Sequence, residues 1–499
     1  MTPLNASIWL ADRDSKIYPA LKGKVECDAV VVGAGITGLT AAYRLCMAGK
    51  QVVVLEQGRI GDGTSGRTTA HLSTLYDGHY SELEKAYDRE TAKTMCAAMN
   101  QAVDIAERIG ALLPVAGSFK RLPGYLYAED GQDLALLDKE YEAGKRAGLD
   151  LEWVTEVPLP FPIAKAIKVE RQAQLHPIKY LQGLADLIVG TGKGQIYENS
   201  RVTDFSSGRP LEAICEQGAV SARDMVLATH TPLGFNLTQA LMKPMRSYAL
   251  SLPMEGPGPA GLFWDMATPY HYIRSHSSES GSFLIIGGKD HLTGHPPAED
   301  PLEALKKYAG EKFGHADLAH GWSAQYYEPE DLLPFIGKTP LPFNRHFYIA
   351  TGFSGDGMTL GTAAGALMAD LILGNDNPFE SLFHPLRLNI PTAKSLLTVG
   401  CHTGKMFLKD RWPSPESPRH GELGEGQGGA MGTGLHRVVE YRAEDGTLKT
   451  YDASCPHMGC IVKWNQKMNS FDCPCHGSRF DINGMRIEGP ALRDLSKKS

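Results

Sequence analysis

Basic charge, long apolar runs and cysteine are all scarce in this sequence, and each scarcity closes off a class of protein. Fifty Lys and Arg face 57 Asp and Glu, a formal charge of -7. No basic field gathers phosphates, so nucleic acid is not an expected partner. No apolar run reaches the ~18 to 20 residues that cross a bilayer. The first 27 residues, with Asp12, Arg13, Asp14, Lys16 and Pro19, are unlike a signal peptide. A cytoplasmic chain without a transmembrane segment is expected. Of nine cysteines, Cys27, Cys46, Cys96, Cys215 and Cys401 are scattered, and scattered cysteines in a cytosolic chain are mostly small buried hydrophobes.

Length and glycine are what the chain has in quantity. At 499 residues it exceeds what one hydrophobic core supports, so two or three domains are expected. Apolar residues at 42% and charged residues at 21% suit a globular protein, and 54 glycines suit Gly-rich cofactor loops.

Residues 28–56 read strand, turn, helix, strand: DAVVV, GAGITG, an apolar run through Leu45, then QVVVLE. Gly33, Gly35 and Gly38 form G-x-G-x-x-G, Ile36 and Thr37 open the helix, and Glu56 closes the second strand. The glycines allow the turn and close backbone approach. The helix N-terminus faces a pyrophosphate, and the carboxylate holds ribose hydroxyls. This fingerprint serves FAD and NAD alike. Charged stretches at 81–109 and 132–147 read as helices, from apolar positions three and four apart. Residues 196–229 and 248–288 read as strands, and 346–374 as strand, Gly-rich turn and helix.

Three further stretches follow in order: GDGTSGRTTAH at 61–71, MVLATH at 225–230 and GFSGDGMTLG at 352–361. With WSAQYYEPEDLLPFIG at 322–337, the set resembles the D-amino-acid oxidase-like (DAO) family of FAD oxidoreductases over about residues 7–385. The resemblance implies FAD, with Gln57, Thr64, Ser65, Arg67, Thr68 and His71 touching it after the second strand. It implies further contacts from Val202, Thr229, Gly352, Gly355, Asp356, Gly357 and Met358, with Asp356 and Gly357 beside the ribityl chain and ring. It implies oxidation of C–N bonds in amines or amino acids. Where many members hold a substrate carboxylate with Arg, this chain has Gln325, so that anchor is missing. Tyr272 and Arg274 in YHYIR, Lys289 and His291 in GGKDH, and His71 are the substrate-side candidates. His176 reads as structural.

The remaining cysteines cluster in CPHMGC at 455–460 and CPCHGS at 473–478. Cys455, His457, Cys473 and His476 give C-x-H followed by C-x-x-H. Two thiolates and two imidazoles suit an asymmetric 2Fe-2S cluster of raised potential, and also a tetrahedral zinc site. With Trp464-Asn465 between the loops and Gly489-Pro490 after them, the tail resembles the Rieske domain of the cytochrome bc type over roughly residues 395–495. That resemblance implies a 2Fe-2S cluster on those four ligands and a Cys460–Cys475 disulfide pinning the two loops. It also implies both histidines at an exposed tip, a Pro loop at Gly489 and Pro490, and a potential-raising hydroxyl on Ser478. High-potential members place a Tyr two residues past that serine. Here Phe480 stands there, which predicts a lower midpoint potential.

The expected fold is therefore α/β, plus a small all-β domain. A Rossmann-like FAD-binding domain takes residues 28–80, 170–235 and 320–380, and an α+β substrate domain takes 81–169 and 236–319. An N-terminal extension (1–27), a Pro- and Asn-rich linker (381–394) and a Rieske domain (395–499) complete the layout. The Gly-rich segment 421–434 reads as a solvated loop. A mononuclear-iron oxygenase is not expected, because so little sequence follows His476. The expected function is an amine or amino-acid-like dehydrogenase, passing electrons from FAD through the cluster to an external one-electron acceptor. A reductase running in the reverse direction and a non-enzymatic redox-sensing module are the alternatives.

Overall fold

The computed structural model describes residues 6–113, 118–131, 133–206, 208–278, 281–295, 297–339, 346–387, 423–432 and 437–498. Its first sheet is built on parallel strands. Gly23–Val32 lies between Val52–Leu55 and Gly218–Leu227, with Gly194–Tyr197 and Phe347–Thr351 outside them. Val52–Leu55 is buried along its whole length, as expected of a strand covered on both faces. The helices Ile36–Met47 and Gly357–Leu373 pack together on this sheet. Both begin where a strand of the sheet delivers the chain, so their N-termini open at one end of it.

The second sheet has nine strands, including Phe119–Ala128, Lys165–Leu175, Met242–Met254, His271–Ser278 and Gly281–Leu292. The two predicted helical stretches are present. The first is split at Tyr87 and Asp88 into Tyr80–Ala86 and Arg89–Gly110, with the Asp88 carboxylate capping the second helix at Thr91 N. The other runs Leu134–Ala147. Among the described residues, no helix is long and apolar enough to cross a membrane.

The C-terminal part is all β. A three-stranded sheet (Gln427–Met431, Val438–Arg442, Leu448–Asp452) faces a four-stranded one (Lys463–Asn465, Ser470–Asp472, Arg479–Asp481, Arg486–Glu488) across a core of Val439, Tyr451, Phe471 and Phe480.

Several expectations need correction. Residues 23–27, grouped above with an extension, are already sheet, pairing with Gly218–Ala222. His320–Pro329, grouped with the nucleotide part, is an edge strand of the second sheet against Met242–Met254. Residues 427–431 of the Gly-rich segment form a strand, not a solvated loop. A Cβ on Gly428 would lie 2.5 Å from the Trp464 ring, so glycine here admits an aromatic neighbour. The linker's first residues are packed structure: Glu380–Phe383 is helical, and Arg387 is paired with Asp331 at 2.7 Å. Residues 388–394 and Cys401 lie outside the described residues.

Candidate functional site

A cavity of about 870 Å³ is lined from both large sheets. With two exceptions, the residues expected at the cofactor, from Gly33 to Met358, line it. The exceptions act through backbone packing. A Cβ on Gly38 would lie 2.0 Å from the Gly33 carbonyl, so this position must be bare for helix and strand to meet. Gly352 sits beyond the end of Phe347–Thr351, against Pro329 and Met242.

The cavity suits a dinucleotide on its own evidence. The first turns at Ile36 and Gly357 both open to it, turning the positive ends of two helices toward an anion. Glu56 stands at the end of its strand, accepting from Ala34 N (2.8 Å) and Gly58 N (3.0 Å). Burial nevertheless pushes this carboxyl up. Ser65 Oγ accepts from Ile36 N at 3.2 Å and holds the following loop against the helix.

Elsewhere the wall is acidic and aromatic. The ladder between Met242–Met254 and Gly281–Leu292 breaks between Arg246 and Tyr248. At the break Lys289 adopts φ +59°, and Asp290 lines the cavity beside Ser247. Bulges re-aim side chains in this way. Asp290 accepts from Ser247 Oγ and, at 2.9 Å, from the Tyr326 hydroxyl. Burial pushes its pKa up to about 7, against the pull of those two donors, and the nearby carboxylates Asp77 and Glu328 add to the rise. Asp77 accepts from the Tyr270 hydroxyl (2.7 Å) and from Gly355 N (2.9 Å). Tyr272 lines the same wall, as does His71, whose burial lowers its pKa to about 3 and keeps the ring neutral.

Three sequence candidates lie elsewhere. Arg274 does not line the cavity. Its Nη1 donates to the carbonyls of Thr69, Ala70 and Leu175 at 2.9, 2.9 and 3.2 Å, and its guanidinium lies 5.2 Å from the Trp9 ring centroid. It clamps three segments together. His291 turns away to Tyr248 (3.1 Å), and Lys289 is spent in the bulge. His176 caps the helix Pro177–Gly190, in keeping with a structural role. Asp290, between two flagged residues, went unseen because a bulge leaves no mark in the alternation of apolar and polar residues.

The cluster loops are a matched pair of tight turns. Gly459 N donates to Cys455 O (2.8 Å), and Gly477 N donates to Cys473 O (3.0 Å). Cys460, Cys473 and Cys475 bring their sulfurs within 4.8 Å of one another, but Cys460 and Cys475 form the disulfide and offer no thiolate. Cys455 and Cys473 remain as free thiols. They touch, and their mutual hydrogen bond holds the Cys455 thiol below its ordinary value. The His457 and His476 rings lie 4.9 Å apart, and Nδ1 of each is buried without a partner. Two thiols and two orphaned imidazole nitrogens, converging from two loops, fit a 2Fe-2S cluster on Cys455, His457, Cys473 and His476. The expected exposed tip is not found: His476 is only 4% exposed.

The second sheet covers it. Tyr327, which lines the cavity, donates to His476 O at 3.2 Å. Gln325 is also turned to this seam. Its Nε2 donates to Gly477 O (2.8 Å) and its Oε1 accepts from Thr293 (3.0 Å). Beside them lies a buried charge network. Arg479 pairs with Glu488 (2.8 Å) and Asp472 (3.1 Å), and Arg246 Nη2 stands 3.9 Å from Asp472. Burial alone would raise Glu488, but Arg479 and Arg246 hold it below its ordinary value.

Comparison with known proteins agrees with this geometry. The family model of FAD dependent oxidoreductases (DAO) matches residues 28–371, and that of the Rieske [2Fe-2S] domain matches 418–498. The Rieske 2Fe-2S iron-sulfur protein YhfW of Bacillus subtilis is 30% identical over 495 residues, covering 98% of this chain and 96% of that one. Gamma-glutamylputrescine oxidoreductase of Escherichia coli is 26% identical, covering 82% of this chain and 99% of its own. Glycine oxidase from Geobacillus kaustophilus shares the fold at a TM-score of 0.62 and 18% identity, over 73% of this chain and 100% of that one. A glycine-rich cavity and a pair of cluster loops, each matched by its own family model, lead to one assignment: this chain belongs to the FAD-dependent oxidoreductases of the DAO family, with a Rieske [2Fe-2S] domain at residues 418–498.

Proposed function

We propose that the chain dehydrogenates an amine at a C–N bond in the cavity and passes the electrons through the docked cluster to an external one-electron acceptor. Tyr327 is the observation that carries this reading: one side chain both lines the cavity and bonds the backbone of a cluster ligand. FAD supplies two-electron acceptance from the substrate, and the 2Fe-2S cluster supplies one-electron relay.

The chain's own residues suit a cationic substrate. Asp290 sits among the carboxylates of Asp77 and Glu328, its side-chain donors are the hydroxyls of Ser247 and Tyr326, and Gln325 is turned away toward the Rieske loops. An ammonium group docks against Asp290, which then takes its proton and leaves a neutral amine. A carboxyl titrating near neutral pH matches that task. Tyr270, Tyr272 and Tyr326 supply apolar faces; the Tyr270 and Tyr326 hydroxyls order Asp77 and Asp290, and that of Tyr272 bonds Ser247. The name of the Escherichia coli relative, an oxidoreductase of gamma-glutamylputrescine, supports an amine in this class of cavity.

Anaerobic mixing with a panel of primary and secondary amines tests it, followed at the flavin band and by electron paramagnetic resonance of the cluster. At least one amine should bleach the flavin and then reduce the cluster. Reduction of the flavin only by a reduced carrier protein, and by no amine, overturns the reading in favour of reverse flow.

A further inference from the structure

The Rieske domain does more than accept contact from the flavin domain: residues 485–489 are part of the cavity wall itself. Among the described residues, Arg486–Glu488 is an edge strand of its own sheet, paired only with Arg479–Asp481. An edge strand leaves backbone groups to be satisfied elsewhere. Here a flavin-domain side chain satisfies one, as Gln57 Nε2 donates to Ile487 O at 3.0 Å. Arg486 Nη2 donates to Val202 O at 3.4 Å, across the same seam. Arg201 pairs with Asp494 at 2.5 Å, and the same Asp494 oxygen accepts from Arg486 N at 2.7 Å.

The flavin-side partners all belong to one end of the cavity. Glu56 is the ribose-reading position of the fingerprint, Gln57 follows it, and Arg201 and Val202 line the wall nearby. Arg486 is 6% exposed, lines the cavity, and has its Nε buried with no acceptor. A buried cation with an unmet donor, at the end of a cavity built for an anionic dinucleotide, is a feature that a bound ligand completes.

We infer that Arg486–Glu488 of the Rieske domain is a part of the FAD site, closing the adenosine end of the cavity, so that FAD binding and Rieske docking are one linked equilibrium. The flavin family model ends at residue 371 and the Rieske model begins at 418, so neither contains both sides of this wall. It belongs to the fusion. Linkage makes the coupling reciprocal: what FAD gains from the docked strand, the docked strand gains from FAD.

The test uses the full-length protein, stripped of FAD by chaotropic salt with its cluster retained. On heating, the visible circular dichroism of the cluster should be lost at a higher temperature with FAD present than without. FAD and ADP, the latter as an adenosine-bearing probe, are then titrated into Arg486→Ala. Both should bind about tenfold more weakly than to wild type, the loss expected from one charged hydrogen-bonding group. Asp494→Asn breaks the ion pair with Arg201 while keeping an oxygen for Arg486 N, and should weaken both ligands by a smaller factor. If Arg486→Ala fails to hold its cluster, the affinities of Asp494→Asn decide the matter. Unchanged FAD and ADP affinities beside an intact cluster signal overturn the inference, as does a cluster melting temperature indifferent to FAD.

Discussion

The Tyr327 hydroxyl is hydrogen-bonded to the backbone carbonyl of His476 at 3.2 Å. The same hydroxyl lies 3.4 Å from Gly489 O and accepts from Gln325 Nε2 at 3.0 Å, while its ring packs 4.9 Å from that of His230 in the cavity. A buried hydroxyl with partners in both domains holds the seam to one register.

Tyr327→Phe should therefore loosen the seam while keeping the ring that lines the cavity. Leaving His476 O and Gly489 O without this donor costs on the order of 1–3 kcal/mol. In stopped-flow spectroscopy, flavin reduction by substrate should keep its wild-type rate while cluster reduction slows several-fold. Equal slowing of both phases would count against the seam as the electron route.

Asp290 sets the pH dependence. Its pKa of about 7 in the fold stands against about 4 in an unfolded chain. A raised carboxyl favours the folded state while protonated, so that contribution is complete below about pH 4 and is lost as pH rises from there through about 7. Asp290→Asn should then match wild type in stability at about pH 4 and exceed it at about pH 8, by thermal unfolding. Activity should move the other way. Flavin reduction should rise through about pH 7 in wild type, and be flat and about 100-fold or more slower in the variant.

Phe480 is fully buried opposite Phe471, at the position two residues past Ser478 where the Rieske resemblance implies a tyrosine bonded to a ligating sulfur. Phe480→Tyr should raise the cluster midpoint by roughly 40 mV, the equivalent of one net hydrogen bond of about 1 kcal/mol for a one-electron couple. Redox titration with paramagnetic resonance detection checks this, and no shift would show that the hydroxyl finds another partner.

Arg274 separates structure from catalysis. Arg274→Met removes the buried donor shared by three carbonyls and should cost about 3 kcal/mol in denaturant unfolding. Amine-dependent flavin reduction by the folded fraction should stay near wild type. Its abolition in well-folded protein would return this residue to the substrate site.

Both cofactor sites were legible in the sequence because their motifs are local. The glycine turn needs its residues within one strand-helix unit, and the cluster needs two short loops. What escaped reading depends on distant partners. Gln325 reads only as a missing carboxylate anchor until Gly477, 152 positions away, is seen to take its hydrogen bond. Gly428 reads as loop until Trp464 is found against it. Arg274 has the chemistry of a carboxylate anchor, and only burial among carbonyls shows otherwise. Asp290 depends on a bulge, which is decided by strand pairing and not by composition.

The cover over His476 also bears on how the cluster is loaded. Tyr327 and Gln325 close the edge of the loops at His476 and Gly477, an edge that iron and sulfide would otherwise reach. A chain that takes up its cluster before its two halves meet is spared that closed edge.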